Sequence, residues 1–215
     1  MIIAIDGSAA SGKGTLAKQL AAEFGYDYLD TGALYRAVAL RLLNAGANSN
    51  KIDEKQAINA ASTLNLSLTQ TAEIRTDKVA ALASIVAAIN PVRAELLALQ
   101  RAFAVAPPSG RGAVLDGRDI GTIVLPDADL KFFIDADLDI RAERRTKELL
   151  QAGQSVMFRD VLEDMKARDD RDRTRSVAPL KAADDAITID TSKMDASAVL
   201  ALALSHIDRV YPSEQ

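Results

Sequence analysis

Ile2-Ile3-Ala4-Ile5-Asp6-Gly7-Ser8-Ala9-Ala10-Ser11-Gly12-Lys13-Gly14-Thr15 opens the chain with a short apolar run and then a stretch of small residues broken by glycines. The second part fits G-x-x-x-x-G-K, with its hydroxyl one residue later than the usual G-K-[ST]. Glycine tolerates positive φ and close approach, so successive backbone N–H groups can turn toward phosphate oxygens at the positive end of a following helix. Beyond the loop, Leu16, Ala17, Leu20, Ala21 and Phe24 lie on one helical stripe. Residues 26–29 then read as a second strand. Strand, loop, helix and strand of these lengths predict an α/β fold with a parallel sheet, whose ligands sit beyond the carboxyl ends of the strands.

In this context the loop predicts binding of a nucleoside triphosphate, ATP in the first instance, by Gly7, Ser8, Ala9, Ala10, Ser11, Gly12, Lys13, Gly14 and Thr15. Lys13 is the residue to reach the β- and γ-phosphates, and the Thr15 hydroxyl the one to order Mg²⁺.

Composition sets the outer bounds. The 215 residues are 48% apolar and 26% charged, close to average globular usage and long enough for a substantial core. That length suggests one main domain carrying an inserted subdomain. A formal net charge of −4 argues against a surface built for a nucleic-acid polymer, which needs a basic footprint. The absence of cysteine excludes disulfides, thiolate nucleophiles and Cys-based zinc sites. The single histidine, His206, reads as a surface or satisfied side chain. Met1 to Ile5 has no basic leader and turns polar at Asp6, and no stretch approaches a membrane span, so a soluble cytoplasmic protein is expected.

Farther along, residues 34–45 predict a helix stopped by Gly46. Residues 53–105 read as a helical insert: helices at 53–63, 77–90 and 91–105, with a short alternating piece at 64–68. Pro91 suits a first helical position. After the turn cluster Pro107-Pro108-Ser109-Gly110 the sheet resumes at 113–115, 130–134 and 187–189. Helices at 138–152 and 158–173 flank Gly153-Gln154-Ser155, a candidate mobile lid, and a helix at 195–210 closes the chain.

Three further segments gather chemistry near the loop. Leu29-Asp30-Thr31-Gly32-Ala33-Leu34-Tyr35-Arg36 puts Thr31 where it can cap a helix and Arg36 one turn in, or is a plain cap with a surface arginine. Asp116-Gly117-Arg118-Asp119 ends a strand at the same sheet edge. Asp116 is a candidate to order metal-bound water and Arg118 to bridge donor and acceptor phosphates, against the alternative of an Asp-Gly turn. In Arg168-Asp169-Asp170-Arg171-Asp172-Arg173-Thr174-Arg175, helical spacing lines up Arg168, Asp172 and Arg175. A solvated helix laced with ion pairs is the plain alternative. Several guanidiniums on a lid are what phosphoryl transfer requires, because charge spreads over the transferred oxygens.

With Ile74 to Ser84, Pro91-Val92-Arg93 and Arg175-Ser176-Val177-Ala178-Pro179-Leu180, these segments resemble the cytidylate kinase family over nearly the whole chain. The resemblance implies a P-loop three-layer fold with a five-stranded parallel sheet. Its core would be 1–52, 106–148 and 176–215, with a monophosphate-binding insert at 53–105 and a lid at 149–175. By resemblance, Arg36, Arg93, Arg118 and Arg168 hold the phosphate of CMP or dCMP, while Thr31, Ser84, Asp119, Asp172 and Arg175 meet its sugar and base. Lys13, Arg118, Arg168 and Arg175 would be catalytic, with Mg²⁺ at Thr15. The insert departs from bacterial members in lacking extra β-structure before Ile74-Arg75-Thr76. A monomer acting on small molecules is expected. Competing readings are a UMP or other small-molecule kinase, a catalytically silent P-loop scaffold, and a GTPase switch, the last resting on Asn50-Lys51-Ile52-Asp53.

Overall fold

The computed structural model describes residues 1–48 and 52–211. Strand β1, Ile2–Gly7, is buried from its second residue onward. It pairs in parallel with β3, Ala113–Gly117, on one side and β4, Leu130–Asp135, on the other, which is why Ile2 to Ile5 is continuously apolar instead of alternating. Strand β2 spans Asp27–Asp30 and β5 spans Ile187–Asp190, giving the order β2-β3-β1-β4-β5. Every strand sits within a residue or two of its expected place, and the five-stranded parallel sheet is present as expected. The register sets Ile5 beside Asp116 and Gly7 beside Ile134, so the loops after β1 and β3 emerge at one sheet edge.

Backbone contacts divide the chain into two compact units, residues 1–28 with 107–215, and residues 29–106. In the larger unit, helix α1 (Lys13–Phe24) buries Leu16, Ala17, Leu20 and Ala21 in the cluster that holds Ile3, Ile5, Phe132 and Ile134. It stops at Gly25, whose φ of 62° places it in the left-handed region where its N–H bonds back to Ala21 O.

The smaller unit is helical. It contains α2 (Thr31–Asn44), α3 (Glu54–Ser62), α4 (Asp77–Val86) and α5 (Asn90–Val105), with single 3₁₀ turns at Leu66–Gln70 and Ala72–Arg75. Described residues 52–106 form no strand, so the piece expected to alternate at 64–68 is a tight turn. Asn65 initiates it by accepting from Ser67 N at 2.9 Å. Helix α2 groups with this unit because it packs on α3, α4 and both turns. The compact boundary therefore falls inside β2, earlier than the start of the expected helical insert at 53. Of the guanine-type signature, Asn50 and Lys51 lie outside the described residues. Asp53 caps α3 by accepting from Lys55 N at 2.9 Å.

Helices α6 (Leu138–Gln151) and α7 (Phe158–Thr174) follow β4, separated by residues 152–157, where Gly153 has a φ of 78°. Ala142, Leu149, Val161 and Met165 join them, and Ala9 and Ala10 of the phosphate loop pack on that cluster. Helix α8 (Ala196–Val210) is capped by Asp195, buries Val199, Ala203 and Ile207 against the sheet, and carries a half-buried His206. Among the described residues no single helix is long and apolar enough to cross a membrane. α4 and α5 reach that test only together, bent by 100°.

Candidate active site

The phosphate loop starts at a residue that must be glycine. A Cβ on Gly7 would lie 1.9 Å from the carbonyl oxygen of Ile134, and Gly7 has a φ of 150°. Gly12, with a φ of 92°, is the N-cap of α1; no side chain caps this end, and no acidic residue stands in its first turn. An uncapped N-terminus with its macrodipole unopposed suits an anion. Ser8 and Ser11 are fully buried, and neither hydroxyl has a partner. Lys13 folds back over the loop, its Nζ 3.4 Å from Ser8 O.

Asp116 stands beside the loop. Its Oδ2 would be 3.5 Å from a Cβ on Gly14, and its Oδ1 accepts from the Tyr28 hydroxyl at 2.8 Å. The described residues contain no cluster of three His, Cys, Asp or Glu side chains for a metal. A hydroxyl and a carboxylate next to a phosphate loop are nevertheless the sparse oxygen set that suits Mg²⁺, which keeps waters and takes the rest of its ligands from phosphates. Thr15 and Asp116 are the residues that would hold it.

Asp6, which the sequence pattern passed over, lies 3% exposed under the same edge. Its two carboxylate oxygens accept from Ile120 N and Gly121 N, each at 2.7 Å, tying β1 to the π-helical turn Ile120–Val124 that follows Asp119. Burial pushes its pKa up from 3.8 to about 7, against the pull of those two N–H groups. The folded chain thus keeps a proton through a pH window in which the unfolded chain has lost it, and stability falls as pH rises from about 4 to 7. Urea denaturation across that window should show Asp6→Asn losing this slope; parallel profiles for the two proteins would contradict the shift.

Four of the expected acceptor residues meet in the larger unit. Arg118 Nε is 3.1 Å from Asp172 Oδ2, and Arg175 Nη2 is 3.6 Å from Asp119 Oδ1. Asp119 and Asp172 are both buried, at 6% and 9% exposure. Each carboxylate therefore orients a guanidinium by a charge-assisted contact. Arg168 and Asp172 share a face of α7, but the expected stripe ends there. Arg175 is the C-cap, with φ −58° and ψ 138°, and it arrives through this extended turn, its Nε bonded to Ala178 O.

The remaining candidates lie in the smaller unit. Asp30, not Thr31, caps α2: its Oδ1 accepts from Ala33 N at 3.0 Å, and Thr31 is the first helical residue. The longer carboxylate reaches the third N–H from an extended backbone at the end of β2. Its other oxygen takes Arg36 Nη2 at 2.6 Å. Arg93 Nη1 donates to Ala87 O at 3.2 Å, and its guanidinium carbon stands 5.9 Å from the Tyr35 ring centre. Ser84 keeps a buried hydroxyl without a partner.

Sequence spacing missed Arg141, Arg144 and Thr191. Arg141 is 2% exposed and binds Ala136 O at 2.8 Å, Ala9 O at 3.3 Å and Asp169 Oδ2 at 2.6 Å. The only signal for it was an arginine at a position of α6 that faces inward.

The cytidylate kinase family model matches residues 3–209. A cytidylate kinase of Paramagnetospirillum magneticum is 52% identical over 96% of this chain and 97% of its own length. Those of Rhodospirillum rubrum and Methylocella silvestris are each 51% identical, over 95% and 99% of this chain and 95% and 96% of theirs. A crystal structure of an uncharacterized protein from Eubacterium ventriosum aligns over 97% of this chain and 98% of its own, with a TM-score of 0.56 and 17% identity, a likeness of fold. With a glycine-bounded phosphate loop at one end of the match and Asp172 and Arg175, paired with Arg118 and Asp119, near the other, the chain belongs to the cytidylate kinase family.

Proposed function

We propose that this chain is an ATP-dependent cytidylate kinase that, with Mg²⁺, transfers the γ-phosphate of ATP to CMP or dCMP, giving ADP and CDP or dCDP. Relatives named cytidylate kinase, about half identical over essentially the full length, carry this conclusion. The pairing of Arg118 with Asp172 and of Arg175 with Asp119 supports it, because the guanidiniums are oriented before any substrate arrives.

The acceptor phosphate is already an anionic nucleophile, so transfer is direct and in line, with no covalent enzyme intermediate and no strong base. Lys13 and the loop N–H groups hold the donor. Thr15, with Asp116 acting through water, would hold the metal, which would supply positive charge to neutralise the donor phosphates. Arg36, Arg93, Arg118, Arg168 and Arg175 are the arginines proposed for the transferred group and the acceptor phosphate. Thr31, Ser84, Asp119 and Asp172 meet the nucleoside. The unpartnered buried hydroxyl of Ser84 supports that role, since a buried polar group without a partner costs stability unless a ligand satisfies it. Residues 149–175 are proposed to act as a lid, and residues 53–105 as the monophosphate-binding insert. The enzyme is proposed to work as a monomer in the cytoplasm, where ATP is supplied.

A coupled assay of ADP formation with CMP, dCMP, UMP, AMP and GMP tests the reading. CMP and dCMP should be the preferred acceptors. Preference for UMP would move the assignment to a neighbouring kinase, and no ADP with any acceptor would sink it.

A further inference from the structure

Thr191 is the first residue after β5 and is 2% exposed. Its N–H donates to Asp135 O at 2.8 Å, so its backbone is fixed to the neighbouring strand. Its hydroxyl stands between two groups: Arg144 Nη1 approaches Oγ1 at 3.0 Å, and Oγ1 lies 2.8 Å from Ser11 O. Arginine can only donate. The hydroxyl therefore accepts from Arg144, and its single proton goes to the Ser11 carbonyl. Arg144 Nη2 holds the same turn through Thr191 O at 2.7 Å and Met194 O at 3.4 Å.

Ser11 O belongs to the peptide that joins Ser11 to Gly12, and no peptide in the described chain is cis. In a trans peptide the carbonyl and the N–H point to opposite sides of the chain. Anchoring Ser11 O on Thr191 turns the Gly12 N–H away from Thr191, and it does so at the left-handed residue that starts α1. Thr191 and Gly12 also border one cavity of about 250 Å³, together with Ser11, Thr15 and Arg144.

We infer that Thr191 is a positioning residue for the donor phosphates: its hydroxyl sets the orientation of the Ser11–Gly12 peptide so that the Gly12 N–H is aimed at the triphosphate, and Arg144 fixes that hydroxyl's proton. This rests on the kinase function proposed above and adds to it a residue far from the loop in sequence. Other loop carbonyls are held by charged groups, Ser8 O by Lys13 and Ala9 O by Arg141. Only the Thr191 contact can be removed without changing charge or volume.

Thr191→Val replaces the hydroxyl by a methyl of similar size. The wild type is first shown to phosphorylate CMP; its failure there counts against the function and not against Thr191. In the variant, the KM for ATP should rise about tenfold, which corresponds to about 1.4 kcal/mol, with the KM for CMP unchanged. Calorimetry should show the same loss for ADP and none for adenosine. Thr191→Ser restores the donor and should lie within about twofold of wild type on this one-hydrogen-bond scale. A KM for ATP that does not move, equal changes for ATP and CMP, equal losses for ADP and adenosine, or a serine variant as impaired as the valine one would overturn the proposal. Should Thr191→Val not fold, Thr191→Cys, a weaker donor, carries the same comparison.

Discussion

Lys13→Ala is expected to lower kcat by about 10² to 10³-fold, the scale seen when one preorganised charge-stabilising donor is removed from a water-excluded site. The side chain is already folded over the loop toward Ser8 O, so little reorganisation is needed when phosphate arrives. It contributes most where negative charge grows between donor and acceptor, which is why the loss should fall mainly on kcat and less on the KM for ATP. Single-turnover kinetics at saturating ATP and CMP would measure it. A variant that keeps kcat within tenfold of wild type would remove Lys13 from the catalytic role.

Arg118→Ala should cost about 10³-fold or more in kcat, by analogy with other arginines that stabilise charge in phosphoryl transfer. It also strips Asp172, 9% exposed, of its guanidinium. A carboxylate left buried without that partner should lower stability by roughly 1 to 3 kcal/mol. Arg118→Lys separates the two effects. A lysine restores charge near Asp172, and with it much of the stability. It has no planar fork to hold two phosphate oxygens, so most of the rate loss should persist. If the lysine variant recovers full turnover, Arg118 acts through charge alone. If the alanine variant turns over normally, the assignment is wrong.

Element types were largely legible, and the exceptions share a cause. Residues 64–68 read as a short alternating piece, but Asn65 accepts from Ser67 N and starts the 3₁₀ turn Leu66–Gln70 instead. A local side-chain bond outweighs a two-residue period when no neighbouring strand is present to pair. At α2 both Asp30 and Thr31 are good capping residues, and the choice fell to Asp30 because β2 delivers it in an extended conformation. The grouping of α2 with the helical unit depends on which neighbours its buried face finds, and its own composition does not encode that.

The local pattern by itself determined the phosphate loop, the strands around it and the break at Gly153. Each of these is written in contiguous residues: glycines where φ is positive or a Cβ would collide, and apolar runs where a strand is covered on both sides. Tertiary structure alone decided which carboxylate orients which arginine, that Asp6 is buried enough to hold a proton near neutral pH, and that Thr191 reaches Ser11 across 180 residues. Those contacts join residues with no common period or motif. They come from the parallel register, which lays the ends of β1, β3, β4 and β5 along one edge and lets side chains distant in sequence share a few ångströms of space.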